Sequence, residues 1–148
     1  MTSTITGDIT HVSKGIILHQ VNLGGSMGAG VALAIKNKWP NVYQRYMEWY
    51  LRATLGDVLF VQVDTDLYVA NLAGQLTYGS MRYRNGVPYT DYGAYTRGIP
   101  FVSEMAKKVG LPVLVPDLIG AGLAGGDRTT IHGIIDGILE KPVYVIYM

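Results

Sequence analysis

The chain has 148 residues, 49% of them apolar and 16% charged, which suits one soluble globular domain spanning residues 1–148 with a conventional core. Twelve Lys and Arg against eleven Asp and Glu leave a net charge of +1 without a basic tail or stripe, so strong nucleic-acid binding through counterion release is not expected. The lack of cysteine excludes disulfides, thiolate metal sites and a cysteine nucleophile; with no basic or long apolar leader and no run near 18 apolar residues, a cytoplasmic protein without a membrane partner is expected.

Ile5 sits in a short extended segment that turns at Gly7 and Asp8, and Gly15 to Val21 is a nearly continuous apolar run, the pattern of a strand covered on both faces. After a glycine-rich stretch, Val31, Ala32, Leu33, Ala34 and Ile35 read as a buried helix ending near Lys36, Lys38 and Trp39, because Pro40 disfavours helical geometry in the residue before it. Pro40 then starts a second helix, with Val42, Tyr43, Tyr46, Met47 and Tyr50 at three- and four-residue spacing. Two strands, 58–63 and 67–72, flank Asp64, Thr65 and Asp66, a connection short enough for an antiparallel hairpin.

The segment 74–92 lacks periodicity and carries Gln75, Tyr78, Gly79, Arg82, Tyr83, Arg84, Gly86 and Pro88, a polar and aromatic mix that suits a functional surface loop. A helix is expected between Tyr92 and Val109 despite Gly98 and Pro100, then a buried strand over 112–116, a helix over 127–139 and a closing strand over 143–147. Strands interleaved with helices and joined in part by a hairpin predict an α/β fold, a three-layer α/β/α sandwich around a mixed sheet.

Two glycine-rich loops stand out, 24–30 (GGSMGAG) and 120–127 (GAGLAGGD), each after a strand and before a helix. Backbone N–H groups freed by glycine at a helix N-terminus make an anion cradle that needs no lysine. Two cradles suggest a ligand with more than one phosphate, or one diphosphate gripped from both sides. Gly120, Gly122 and Gly125 satisfy G-x-G-x-x-G, but the dinucleotide fingerprint belongs in a first βαβ unit with an acidic residue about 20 positions later. Only 23 residues follow Gly125. No G-x-x-x-x-G-K-[ST] is present either, so nucleoside triphosphate hydrolysis is not expected.

Gly7-Asp8-Ile9, His19-Gln20-Val21-Asn22, Met27-Gly28-Ala29-Gly30-Val31-Ala32 and Ile119-Gly120-Ala121-Gly122-Leu123 form an ordered set, and by them the chain resembles a macro domain. With Asn71-Leu72-Ala73-Gly74-Gln75 and Gly125-Gly126-Asp127, it is similar to the small stand-alone branch of bacteria and phages, related to the ADP-ribose-1''-phosphate phosphatases and terminal ADP-ribose glycohydrolases. A phage protein of this kind would work in the host cytoplasm.

The resemblance implies that ADP-ribose is the ligand and that no cofactor is needed. Asp8 would accept the adenine amine beside the Ile9 backbone after Gly7, and Asn22 would reach the distal ribose. Ser26, Met27, Gly28, Ala29, Gly30 and Val31 would embrace that ribose and one phosphate, while Ile119, Gly120, Ala121, Gly122 and Leu123 would supply donors to the diphosphate. Gln75 and Tyr78 would touch the rim. His19 and Asp127 would be catalytic in a metal-independent phosphatase, one orienting water and the other donating to the leaving oxygen, in either order.

Plainer roles compete with several of these. Asp8 can be a turn residue, His19 a hydrogen-bonded core group and Asp127 the N-cap of the following helix. The lysine that forms a ribose adduct in the glycohydrolase relatives has no counterpart in Gly74-Gln75-Leu76-Thr77. His11 and His132 show no acidic or histidine partner at ligand spacing, so no metal site is expected. A binder without turnover, or a hydrolase freeing ADP-ribose from macromolecules, stands as the alternative to the phosphatase.

Overall fold

Alternation along one central strand organises the molecule. In the computed structural model, which describes residues 2–79 and 86–148, strand β2 (Gly15–Asn22) runs up the middle of the sheet and is buried along nearly its whole length. Ile16 and Leu18 point into one core and Ile17 and Val21 into another, as the two-residue period of a strand requires. The first core is closed by Tyr95, Ile99 and Val102 of α3 (Tyr92–Val109) and by Ile131 and Ile135 of α4 (Arg128–Ile138). The second is closed by Ile35 of α1 (Gly30–Lys38) and by Val42 and Tyr46 of α2 (Pro40–Trp49).

The remaining strands are β1 (Ser3–Gly7), β3 (Val58–Asp64), β4 (Leu67–Gln75), β5 (Val113–Pro116) and β6 (Val143–Tyr147), and the sheet order is β1-β6-β5-β2-β4-β3. Every pairing is parallel except β3 with β4, the predicted hairpin. The fold is thus the expected α/β/α sandwich on a mixed sheet. Among the described residues, no helix is long and apolar enough to cross a membrane.

Three expectations need correction. The helix α1 is not buried as a whole: Ile35 alone is fully covered, and Ala34 is exposed. Its first turn, with Val31 and Ala32, packs only in part against the second core and also borders an open cleft. The segment 74–92 is not all surface loop, since Gly74 and Gln75 complete β4 and Tyr89 and Thr90 are buried; Arg82, Tyr83 and Arg84 lie outside the described residues. Third, both histidines do have an acidic neighbour, His11 Nε2 lying 3.5 Å from Asp8 and His132 Nε2 3.9 Å from Asp117.

The helix α3 runs on through the exposed Pro100, which offers no N–H to the Thr96 carbonyl and so removes one rung of the helical ladder. Asp91 caps the start by accepting from the Ala94 N–H at 2.9 Å, and Gly110 ends the helix in the left-handed region at φ 69°.

Candidate functional site

Strands β5 and β2 are neighbours and parallel, so the two glycine loops that leave their carboxyl ends face each other across one cleft of about 530 Å³. Its floor is the end of β2, from His19 to Asn22. Ser26, Gly28, Ala29, Gly30 and Val31 form one wall, Ile119, Gly120, Gly122 and Leu123 the other, and Gln75 and Tyr78 one end. No Lys, Arg, Asp or Glu lines it among the described residues.

Asn22 shapes the first loop. Its side-chain oxygen accepts from the backbone N–H groups of Gly24 (3.0 Å) and Ser26 (3.2 Å) and from the Tyr46 hydroxyl (2.8 Å), while its amide nitrogen donates to the Ser26 carbonyl at 2.8 Å. One amide hydrogen of Asn22 remains uncommitted. Met27 plugs into the core at 1% exposure and so anchors the loop rather than lining the cleft. The loop delivers the chain into α1, whose N-cap Ala29 makes no side-chain capping bond. The amides from Gly28 to Ala32 therefore open on the cleft with no partner among the described residues.

The second loop folds on itself through Ala121 N–H to Leu118 O (2.8 Å), Gly125 N–H to Gly122 O (3.0 Å) and Gly126 N–H to Gly120 O (2.7 Å). The amides of Gly120, Gly122 and Leu123 are left without a partner among the described residues. Ala121 does not reach the cleft. From outside, Arg128 grips Asp117 with two bonds, at 2.7 and 3.0 Å, which ties the two ends of the loop together.

Gln20, quoted in the sequence motif without a role, turns out to be the hub beneath this loop. Its side-chain oxygen accepts from Tyr95 at 2.6 Å, and its nitrogen donates to Gln75 at 2.6 Å and to Thr90 at 3.0 Å; Thr90 in turn donates to the Gly120 carbonyl at 2.7 Å. A Cβ at Gly74 would stand 2.6 Å from the Gln20 oxygen and one at Gly120 2.7 Å from it. Those two glycines are required by the side chain packed between them. Thr90, Tyr95 and Tyr46 carry no sequence signal for these roles, because each reaches the site from a distant element.

His19 borders the floor yet is only 1% exposed. Directly across the β2–β4 ladder lies Asn71, whose amide donates to the Leu59 carbonyl at 2.9 Å and whose oxygen therefore faces His19 Nε2 at 2.6 Å. Nε2 carries the proton, and Nδ1 is a buried acceptor with no partner among the described residues. Burial lowers the imidazole pKa to about 4, against the opposing pull of Asn71, so the ring is neutral at physiological pH.

Asp127 and Asp8 are drawn into caps. The Asp127 carboxylate accepts from the N–H (2.9 Å) and hydroxyl (2.6 Å) of Thr130 at the start of α4, is solvent-exposed, and is not among the residues lining the cleft. Those bonds hold its pKa below the ordinary range. Asp8, at the carboxyl end of β1, accepts from the N–H (2.9 Å) and hydroxyl (2.7 Å) of Thr10 and caps the short 3-10 turn Ile9–His11; its pKa is lowered by the same bonds. Gly7, Asp8 and Ile9 thus lie outside the cleft lining, with Ile9 buried. Tyr92 and Tyr95 do not flank the cleft, because their hydroxyls are spent on the Asp127 N–H (2.9 Å) and on Gln20 (2.6 Å). Among the described residues no three His, Cys, Asp or Glu side chains gather as a metal site.

Over its full length the chain is 33% identical to a Bacteroides thetaiotaomicron protein of unknown function, with a TM-score of 0.89 and 98% of that chain covered. It is 30% identical to a macrodomain protein from Streptomyces coelicolor, with a TM-score of 0.80, 99% of this chain and 98% of that one being covered. The chain belongs to the macrodomain family. A more distant macrodomain-like fold is that of Thermosipho africanus DarTG, solved in complex with ADP-ribose: 18% identity, TM-score 0.75, 99% of this macrodomain and 42% of that chain. No protein-family model matches the sequence, and no curated protein matches it.

Proposed function

We propose that this macrodomain binds ADP-ribose, its diphosphate held between the free amides of the two glycine loops. The observation that carries the reading is the pair of donor sets on the two walls of one cleft, without partners and without a charged neighbour in the lining among the described residues, one of them the uncapped N-terminus of α1. Such donors recognise phosphate through N–H geometry and helix dipole. The cleft volume, about 530 Å³, falls among ordinary small-molecule sites. The ADP-ribose complex of the Thermosipho africanus protein agrees with it.

In this reading Ser26 and Gly28 to Val31 embrace the distal ribose and one phosphate, and Ile119, Gly120, Gly122 and Leu123 the diphosphate. Asn22 offers its spare amide hydrogen to the distal ribose, and Asp8 accepts the adenine amine from the rim beyond β1. The test is calorimetric titration with ADP-ribose beside the Asp8→Ala variant. Saturable binding near micromolar or tighter, weakened in the variant, supports the reading; a folded wild-type protein that takes no ADP-ribose overturns it.

A second reading adds turnover, the hydrolysis of ADP-ribose-1''-phosphate, and the unpaired Nδ1 of His19 beneath the cleft favours it. A neutral imidazole with its Nε2 proton committed to Asn71 accepts a proton from water at Nδ1 rather than donating one. Asp127 joins this chemistry only by leaving Thr130. Phosphate release that falls in His19→Ala supports the reading. Tight binding without release from any ADP-ribosyl substrate makes the protein a binding module, and release of free ADP-ribose from a modified macromolecule makes it a hydrolase of another class.

A further inference from the structure

The buried hydroxyl of Tyr46 lies 21 residues along the chain from the loop it touches, on a helix that contributes nothing to the cleft lining. It donates toward the carbonyl (2.7 Å) and side-chain oxygen (2.8 Å) of Asn22, and it accepts from the Gly25 N–H at 3.2 Å. Gly25 is in the left-handed region at φ 86°, and a Cβ there would stand 2.7 Å from the ring of Tyr50, so the loop backbone rests directly on the face of α2. The Tyr46 and Tyr50 rings stack at 5.5 Å, which fixes the platform. Burial pushes the Tyr46 hydroxyl up to about 12, so it stays a donor across the physiological range.

We infer that Tyr46 is a positioning residue for the ligand, one that holds the first glycine loop through Asn22 and Gly25 in the form whose amides meet the distal phosphate and ribose. The inference rests on the ADP-ribose reading of the cleft. Asn22 cannot both orient Gly24 and Ser26 and turn freely to a ligand, and the Tyr46 bond to its oxygen is what leaves only its amide edge facing outward. An aromatic ring without the hydroxyl would fill the core equally well but release the loop. The second loop, held separately by Gln20, Thr90 and Arg128, would be unaffected.

The experiment is calorimetric titration of wild type and Tyr46→Phe with ADP-ribose and, separately, with AMP, which lacks the distal half of the ligand, alongside thermal melting. The expected result is an ADP-ribose affinity about tenfold weaker in the variant, an AMP affinity within about twofold, and a cooperative melt. Incorporating p-aminophenylalanine at position 46, which restores a donor at the same place, should recover most of the ADP-ribose affinity. Equal ADP-ribose affinity in Tyr46→Phe, or parallel losses for both ligands, overturns the inference while leaving the cleft reading intact. An unfolded Tyr46→Phe chain also overturns it, since the hydroxyl would then hold the fold rather than the loop. If wild type takes no ADP-ribose, the reading of the cleft fails first and this inference falls with it.

Discussion

The Tyr95 hydroxyl donates to the side-chain oxygen of Gln20 over 2.6 Å, and through that bond α3 is fastened to the floor of the cleft. Tyr95 is fully buried, and burial drives its hydroxyl far above the ordinary range, so it is always a donor. Replacing it by Phe keeps the ring and leaves the Gln20 oxygen without that donor, a loss of about 1–3 kcal/mol. Denaturant unfolding of Tyr95→Phe measures it; a midpoint equal to wild type would show that Gln20 is satisfied without the tyrosine.

Gly120 and Gly122 lie two residues apart and should respond in opposite ways. Gly120 has φ 67°, and a Cβ there would meet Gln20 at 2.7 Å and the Tyr95 hydroxyl at 2.9 Å, so Gly120→Ala should destabilise the fold by about 2 kcal/mol or more. Gly122 borders the cleft, its φ lies outside the left-handed region, and a Cβ there would meet nothing within 4 Å. The variant Gly122→Val should therefore melt like wild type and lose ADP-ribose affinity by about tenfold or more, because its methyl groups enter the space of the diphosphate. Thermal melting and titration on the same two samples decide it, and a Gly122→Val protein that binds normally would remove the second loop from the site.

The layered fold was legible because each element carries its own period: the apolar run of β2, the spacing of α2 and the hairpin at Asp64-Thr65-Asp66 are local signals. So were the glycine loops, since a sharp turn before a helix needs glycine where it occurs. The supports of those loops were not legible. Gln20, Thr90 and Gly120 meet from positions 70 and 30 residues apart, and nothing in the local pattern distinguishes Tyr95 or Tyr46 from other core tyrosines. Motif order cannot weigh two roles of one side chain: the sequence offers Asp127 as catalyst or N-cap and Asp8 as adenine acceptor or turn residue, and the fold shows both engaged as caps.

Asp127 offers a clean separation of capping from chemistry. Alanine at this position removes the acceptor for the Thr130 N–H and hydroxyl and should lower the melting temperature. Serine supplies an acceptor without a charge, so Asp127→Ser should restore the melt, and ADP-ribose affinity should follow wild type in both variants. A serine variant with full stability and weakened binding or turnover would show that the carboxylate itself meets the ligand.

His19 should give the fold a pH dependence in a window of its own. Burial lowers its pKa from 6.5 to about 4 in the folded chain. As pH falls through 6.5 the unfolded chain takes up a proton that the native chain refuses until about pH 4, so the stability contribution is complete above the first value and drains away toward the second. The loss across the window is on the order of 3 kcal/mol. The carboxylates of Asp8, Asp117 and Asp127, also lowered from 3.8, contribute stability that is lost mainly below that pH, so they overlap only the acid end of the window. Urea unfolding of wild type between pH 4 and 7 should show the slope, and His19→Gln, which keeps a donor for Asn71 but cannot titrate, should abolish it. An unchanged slope in that variant would mean that the slope belongs to other groups and that burial does not hold the His19 imidazole neutral in the native state.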